Sequence, residues 1–371
     1  MRILRLLLFP IILLSLAGCG NIVYISKLAW HQGDIAFHSV PAEEVLGDER
    51  VNGAVKERIH FVQEVKRYGE ERLGLARTKS YSKFFEMKGP VLYVITASEK
   101  DRLRLYTWDF PIAGRVTYKG FFSIEDARKE KTSLEERGYD TFLQQVGAYS
   151  TLGWLRDPIF SSMLEWSDMT LANVILHEMT HATIYFKGKT DLNEQVATFL
   201  GNRGAVDFLR ERFGPGSIKV AKAIHHQEDD LLFSTWIDKA CERLSRFYGQ
   251  GISRDEKLSG REEVFRSLKE EFKEVKAQFK AGFYEDFEKK DLNNAVFLAY
   301  RRYFDRLEMF ETLYGYLGKD LRRVTQFLKE MQASGEEPAS FLERWMRERG
   351  YRSLLPAMNS STIDLAWLSA N

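Results

Sequence analysis

The segment from Thr170 to Phe186 constrains this chain most, because it predicts both a helix and the groups that the helix carries. It contains neither Pro nor Gly, Ser167 precedes it as an N-cap, and Gly188 follows it as a stop signal. Inside it, the sequence from Leu176 to His181 reads Leu-His-Glu-Met-Thr-His. Its two histidines are four residues apart, so successive turns bring them to one face, about 5–6 Å apart at Cβ.

This H-E-x-x-H spacing suits two ligands of one zinc ion, and a catalytic zinc site has a third protein ligand. Glu194 lies 13 residues after His181, near the start of the next predicted helix. A turn at Gly188 lets that helix return antiparallel. The pattern therefore predicts His177, His181 and Glu194 as zinc ligands, and Glu178 as the base that takes a proton from a zinc-activated water.

Glu194 also has a structural interpretation, because Asp191-x-x-Glu194 is a capping box that would serve only the helix N-terminus. Asp191 and Asp207 are the alternative third ligands. His225 and His226 are adjacent, hence about 100° apart on a helix, and an acidic run follows them. We interpret that pair as solvated surface.

The composition limits the other classes of function. The 371 residues include 54 basic and 53 acidic side chains, a net charge of +1, so no excess of Lys and Arg is present to neutralise nucleic-acid phosphates. Two cysteines exclude a disulfide scaffold and any multi-thiolate metal site. The chemistry must come from His, carboxylate or hydroxyl groups, and no nucleic-acid partner is expected.

The N-terminus predicts export. Arg2 and Arg5 precede an apolar stretch, Leu6 to Leu14, that is too short to span a membrane. The sequence Leu16-Ala17-Gly18-Cys19 resembles a bacterial lipobox. The resemblance implies a signal peptide over residues 1–18, acylation of Cys19 and a periplasm-facing chain anchored in the lipid bilayer; the alternative is an ordinary signal peptide or anchor helix.

Gly20 stands where Asp would indicate inner-membrane retention, which favours the outer membrane. With Cys19 acylated, Cys241 has no intramolecular partner and is expected to be a free, buried thiol.

Hydrophobic periodicity predicts an α+β fold that is mostly α. A helix is predicted over residues 51–73, strands over 91–95, 103–110, 115–122 and 140–150, and a charged helix over 124–137. Beyond Ser167 the pattern is almost wholly helical. Apolar residues from Phe233 to Phe247 and from Phe265 to Phe279 keep 3-4 spacings on either side of a polar break, which predicts an antiparallel helical hairpin.

Further motifs resemble a predicted family of zinc aminopeptidases found among proteobacterial lipoproteins. They are Lys119-Gly120-Phe121-Phe122, Ala148-Tyr149-Ser150-Thr151-Leu152-Gly153-Trp154 with Asp157-Pro158, the histidine motif, Asn193-Glu194, Leu292-Asn293-Asn294-Ala295 and Tyr300. The matches run in order from about residue 19 to residue 330. The resemblance implies a gluzincin-type peptidase that acts on peptides or proteins, with His177, His181 and Glu194 as ligands and Glu178 as base.

With this resemblance the expected organisation has four parts. Residues 1–18 are the signal peptide, 19–89 a helical segment, 90–330 a zincin-like core, and 331–371 a helical tail. In the core a small sheet precedes the H-E-x-x-H helix, and the C-terminal half is helical and contains the hairpin.

Three points stay open at the level of sequence. An aminopeptidase needs a group for the substrate α-amine, for which Asp157 and Glu165 are candidates by position only; a zinc endopeptidase on envelope proteins or peptidoglycan peptides is the near alternative. A non-catalytic, zinc-stabilised envelope lipoprotein is the alternative from another class. Tyr149, Tyr300 and Tyr303 are equal candidates for the oxyanion donor, and the strand ending in residues 148–153 is expected either to bind substrate by β-augmentation or to pack loops.

Overall fold

The computed structural model describes residues 19–87, 89, 91–110, 114–147, 156–282, 284 and 286–351, except for the side chains of residues 19–22. Within these residues the chain is α+β and mostly helical, as the sequence predicts. The predicted signal peptide lies outside them, as do residues 148–155, and the division of the chain at residues 18, 89 and 330 stays a prediction. None of the described helices is long and apolar enough to cross a membrane.

Helices dominate both ends of the described chain, and most of the strands lie between them. The helices are α1 Cys19–His38, α2 Ala42–Gly47, α3 Gly53–Glu71, α4 Ile124–Glu136, α5 Asp168–His181, α6 Thr190–Phe213, α7 Ile218–Tyr248, α8 Arg254–Lys276, α9 Asn294–Phe304, α10 Leu307–Tyr316, α11 Leu321–Ser334 and α12 Pro338–Glu348. The strands are β1 Val40–Pro41, β2 Lys83–Phe85, β3 Leu92–Ser98, β4 Trp108–Phe110, β5 Gly114–Val116, β6 Lys119–Phe121, β7 Asp140–Val146 and β8 Ile159–Phe160. Short 3₁₀ turns cover Ser161–Glu165 and Phe287–Lys289.

The strands form three small sheets. The antiparallel sheet β6-β3-β7 has Tyr93 of β3 opposite Phe121 of β6 and Gln145 of β7. A second sheet has the order β1-β2-β8, in which β2 and β8 are parallel, and β4 pairs with β5. Helix α9 packs on β3 and β7.

Two of the predicted strands are wrong in extent. The strand predicted over 103–110 is regular only from Trp108 to Phe110, and the strand predicted over 115–122 is divided into β5 and β6. The division follows from pairing: β5 pairs with β4, whereas β6 pairs with β3, so the chain must leave one sheet for the other. The last predicted strand ends at Val146, and residues 148–150 lie outside the described part.

Buried apolar side chains form two large clusters. The first joins α3, α5 and α6 to α10, α11 and α12, and thus connects the N-terminal and C-terminal helices. The second is built by α7, α8 and α9 around Phe233, Phe272 and Phe297, which confirms the predicted hairpin seam. Cys241 is a free thiol in this second cluster, as predicted, and burial raises its pKa to about 12.

Helices α5 and α6 approach closely because two glycines of α6 face α5. A Cβ added at Gly201 would lie 3.0 Å from the carbonyl oxygen of Asn173 and 3.2 Å from Cβ of His177. A Cβ at Gly204 would lie 2.8 Å from a methyl group of Leu176. The obstacle at Gly201 includes backbone, which yields less easily than the end of a leucine side chain.

We therefore expect Gly201→Ala to lower the free energy of unfolding by about 1–3 kcal/mol, as overpacking does in dense interiors. Gly315→Ala is the matched control, because Gly315 is also helical but nothing lies within 4 Å of the added Cβ; it should be neutral or stabilising by up to about 1 kcal/mol. Chemical denaturation measures both. A Gly201→Ala protein as stable as the wild type would contradict the close approach.

Candidate active site

Helix α5 carries the H-E-x-x-H segment and ends sooner than predicted. Ser167 caps it by accepting a hydrogen bond from the Thr170 amide at 3.1 Å, as expected. The helix ends at His181, so the predicted extension to Phe186 is wrong. The Thr183 hydroxyl donates to the carbonyl of Met179 at 2.6 Å and accepts from the amide of Ala76 at 2.9 Å. These side-chain bonds stabilise a turn in place of further helix.

The loop that follows is fixed by Asn193 of α6. Its side-chain oxygen accepts from the Phe186 amide at 2.8 Å, and its side-chain nitrogen donates to the Phe186 carbonyl at 2.9 Å. Gly188 sits in this loop with a φ of 74°, a conformation that glycine adopts without strain. The buried side-chain amide of Asn193 thus fixes the start of α6 relative to α5. Asn193 directly precedes Glu194 in the sequence.

The structure brings His177, His181 and Glu194 together. The two Nε2 atoms are 3.1 Å apart, and one carboxylate oxygen of Glu194 lies 3.3 Å from Nε2 of His177 and 3.5 Å from Nε2 of His181. His181 and Glu194 are buried, and His177 is half-buried. Three ligand atoms that converge in this way can hold a metal ion.

Each of these groups favours the charged form of its neighbours. Burial opposes ionisation of Glu194, but the hydrogen bonds and charges of both imidazoles hold the pKa of its carboxyl well below the usual range. Burial also disfavours a charged His181, yet Glu194 raises the pKa of that imidazole. The site is therefore built around an ionised carboxylate.

The other interpretations of this segment are not supported. Helix α6 begins after Lys189, with no side-chain cap, so Glu194 does not serve in a capping box. Asp191 lies 3.7 Å from the guanidinium of Arg302 and is not among the residues whose ligand atoms converge. Asp207 lies about 20 Å beyond Glu194 along α6, and it forms an ion pair with Arg210 at 2.8 Å.

The Glu178 carboxyl faces the same region without joining the three converging atoms. Burial raises its pKa, His177 and His181 oppose the rise, and the negative charges of Glu194 and Asp157 add to it. Asp157 is itself buried, and the Ser80 hydroxyl lies 3.5 Å from its carboxylate. A second candidate from the sequence, Glu165, is exposed next to the opposite end of α5.

The tyrosines predicted for this region divide between two places. The ring of Tyr303 lies 6.4 Å from the ring of His177, whereas Tyr300 packs in the second apolar cluster, 5.1 Å from Phe287. Tyr149 lies outside the described residues. Burial raises the pKa of the Tyr303 hydroxyl and the charge of Glu194 raises it further, so this hydroxyl keeps its proton at neutral pH.

Tyr118, which no motif in the sequence indicated, lies close to Tyr303 at the same site. Burial and the charge of Glu194 raise its pKa, and the buried guanidinium of Arg302 stacks on its ring at 4.9 Å. Arg302 also approaches the carbonyl of Thr117 at 3.3 Å. The only hint in the sequence is that Tyr118 directly precedes the motif at residues 119–122.

The asparagines of the Leu292–Ala295 motif dock α9 on the sheet. Asn293 caps the helix and donates to the carbonyl of Thr141 at 3.1 Å. The side chain of Asn294 donates to the carbonyl of Glu99 at 2.9 Å, and the backbone amide of Asn294 donates to the carboxylate of Asp140 at 3.1 Å. These bonds hold the helix that carries Tyr303.

The interpretation of His226 as solvated surface is wrong. Its Nδ1 lies 3.3 Å from the carboxylate of Asp230, which is buried and accepts hydrogen bonds from Tyr284 and Asn202. Burial disfavours the charged imidazole, but Asp230 outweighs it and raises the pKa of His226. The acidic run after the histidine pair is thus partly an internal network.

We expect Asn193→Ala to weaken metal binding by about tenfold or more, as loss of a supporting side chain does in metal sites. Its free energy of unfolding should also fall by about 1–3 kcal/mol, because two polar groups of Phe186 lose their partner. Asn52→Ala is the control: it removes the exposed cap of α3 at a cost of about 1 kcal/mol but lies outside the site. Chelator competition measures affinity, and equal affinities in both variants would contradict the role of Asn193.

A family model described as "Putative aminopeptidase" matches residues 23–341, from α1 into α12. No protein with a curated description matches the chain, and neither does any solved structure. The match spans every residue that the structure brings to the site.

Proposed function

The chain belongs to the family described as "Putative aminopeptidase", and on that basis we propose that it is a zinc-dependent peptidase with a zincin-like core. In this proposal His177, His181 and Glu194 hold the zinc and Glu178 is the catalytic base. The substrate is a peptide with a free N-terminus, and the family description is what favours an exopeptidase over an endopeptidase.

The spacing of the three ligand atoms is the observation that carries the proposal. Zinc binds histidine nitrogen and carboxylate oxygen at about 2.0–2.1 Å in tetrahedral geometry, so any two of its ligand atoms lie about 3.3–3.4 Å apart. The three separations in the structure are 3.1, 3.3 and 3.5 Å. Two imidazoles and one carboxylate form a donor set that suits zinc.

Zinc supplies two effects when it is bound: it lowers the pKa of a water molecule and polarises the carbonyl of the scissile bond. Glu178 accepts the proton of the attacking water and delivers it to the leaving amine. Burial raises the pKa of the Glu178 carboxyl, which makes its carboxylate a stronger base for this exchange.

Two further side chains have roles in this proposal. The protonated hydroxyl of Tyr303 donates a hydrogen bond to the oxyanion that develops on the attacked carbonyl. The buried carboxylate of Asp157, whose charge acts on Glu178, attracts the ammonium group of the substrate N-terminus. This second role would restrict the enzyme to unblocked peptides.

Lipid anchoring is part of the same proposal. Cys19 would be acylated after removal of residues 1–18, which would hold the enzyme on the periplasmic side of the envelope, at the outer membrane. The lipobox at residues 16–19 supports the anchor, and Gly20 supports the outer membrane.

Glu178→Gln should lower kcat by about 10²–10⁴ while metal content stays at the wild-type level, because the side chain acts as a base and not as a ligand. Glu165→Gln, at an exposed carboxylate next to the other end of α5, should leave both unchanged. The assay uses short peptides with a free N-terminus and their N-acetylated copies, and cleavage of the free forms alone is expected.

Each other outcome of that assay excludes one part of the proposal. Equal cleavage of acetylated peptides would make the enzyme an endopeptidase. Metal binding without turnover of any peptide by the wild type would favour the non-catalytic lipoprotein.

Tyr303→Phe should lower kcat by about 10²–10³, the usual effect of removing one oxyanion donor, with a much smaller change in KM. Tyr300→Phe is the matched control, since it removes the same hydroxyl three residues away but in the apolar cluster. Steady-state kinetics on one cleaved peptide compares them. Similar losses in both variants would indicate a packing effect and would contradict the assignment of Tyr303.

A further inference from the structure

One side of α1 contacts the rest of the protein. The Tyr24 hydroxyl donates to the carbonyl of Gly120 at 2.7 Å, and Ile35 is buried in the first apolar cluster. Lys27 forms an ion pair with Asp126 at 2.6 Å, and the ring of His31 stacks on Phe122 at 5.0 Å. The helix is therefore held along its length against β6 and α4.

The opposite side of α1 is apolar and exposed. Val23, Trp30 and Phe37 follow one another at intervals of seven residues, and they are 56%, 77% and 86% exposed. At about 100° per residue these three positions fall within about 40° of one another on the helix. They are among the few large hydrophobic residues with high exposure in the described part of the chain.

No charged residue interrupts this outward face. Among residues 23–38, an arc of about 160° that runs around the helix from Ile25 to Val23 contains only apolar, small or uncharged residues: Ile25, Ala36, Ala29, Gly33, Ser26, Phe37, Trp30 and Val23. The ionisable groups Lys27, His31, Asp34 and His38 form a band along one edge of it. A helix face that meets water is normally polar, so this pattern requires another partner.

The place of α1 in the chain indicates which partner that is. The helix begins at Cys19, the proposed acylation site, and Phe37 follows 18 residues later, which is about five turns. The backbone of residue 19 therefore lies on the same side of the helix axis as that of residue 37. Acyl chains attached there would hold the outward face next to the hydrocarbon surface of a bilayer.

From these observations we propose that the outward face of α1 lies flat on the lipid bilayer, with Trp30 and Phe37 at the boundary between head groups and acyl chains. The identity of the occupant rests on the proposed lipid anchoring, while the exposed face is an observation independent of it. A helix of 20 residues lying in the membrane plane gives a contact about 30 Å long.

Docking of α1 would also orient the catalytic body. Tyr24 of α1 bonds to Gly120 in β6, and Tyr118, at the candidate active site, is two residues before Gly120. A membrane-bound α1 would thus hold the site at a set position above the bilayer. An anchor made of acyl chains alone would let the body rotate.

The test uses the full chain, purified from the membranes of a bacterial host that acylates lipoproteins and reconstituted into vesicles of phosphatidylethanolamine and phosphatidylglycerol. A polarity-sensitive fluorophore is attached at Phe37→Cys or, in a second variant, at Trp30→Cys. Ile218→Cys is the matched control, because Ile218 is also a large apolar residue, 69% exposed, at the start of α7. Cys241 is buried and does not compete for the label.

Bromine on the lipid acyl chains quenches only fluorophores in contact with them. We expect a blue-shifted emission and strong quenching at positions 37 and 30, and neither effect at position 218. Absence of quenching at both α1 positions overturns the inference. Protection from aqueous iodide without quenching by brominated lipid would mean that a protein covers the face, and this also overturns it.

Mass spectrometry of Cys19 in the same sample separates this inference from the proposed anchoring. An acylated Cys19 together with unquenched α1 labels would support the proposed lipid anchor and contradict the contact of α1 with the bilayer. Quenched labels on a protein whose Cys19 carries neither an acyl chain nor the fluorophore would support the docking face and contradict the lipoprotein assignment.

Discussion

An ionised carboxylate in a protein interior costs several kcal/mol unless other groups replace the water that it loses, and this requirement shapes the centre of the fold. Glu194 meets it with the imidazoles of His177 and His181, both within 3.5 Å. Those imidazoles come from another helix, so α5 and α6 must pack closely, which Gly201 permits. Packing of two helices thus determines where three ligand atoms converge.

The remaining parts of the site come from a different region. Helix α9 carries Tyr303 and packs on β3 and β7. Its residue Asn294 donates a hydrogen bond from the backbone amide to Asp140. Asp140 is in turn paired with buried Arg261 of α8 at 2.7 Å, so the helical hairpin also supports this wall. In the proposed function, one wall holds the metal and base, and the other supplies the hydroxyl donor.

How far the sequence predicts this site depends on how local each contact is. The convergence of His177, His181 and Glu194 follows from helical spacing and one turn, and the sequence indicates it. The sequence does not indicate where α5 ends. The turn there depends on Asn193 and on a hydrogen bond from the backbone amide of Ala76 to Thr183, which lies 107 residues later in the chain. For the same reason the pattern could not separate Tyr303 from Tyr300, or predict that His226 is buried beside Asp230. The surroundings of these side chains depend on contacts with residues that are distant in the sequence.

Metal content of the purified protein tests the central claim most directly, measured for the wild type beside His181→Ala, Glu194→Ala and, as a control carboxylate on the same helix, Asp207→Ala. The account predicts one zinc per wild-type chain and per Asp207→Ala chain, with zinc lost or greatly weakened in the other two. A wild-type protein that takes up no metal would contradict it. So would zinc that survives Glu194→Ala at unchanged affinity, because the buried carboxylate would then hold the helices together without binding the ion.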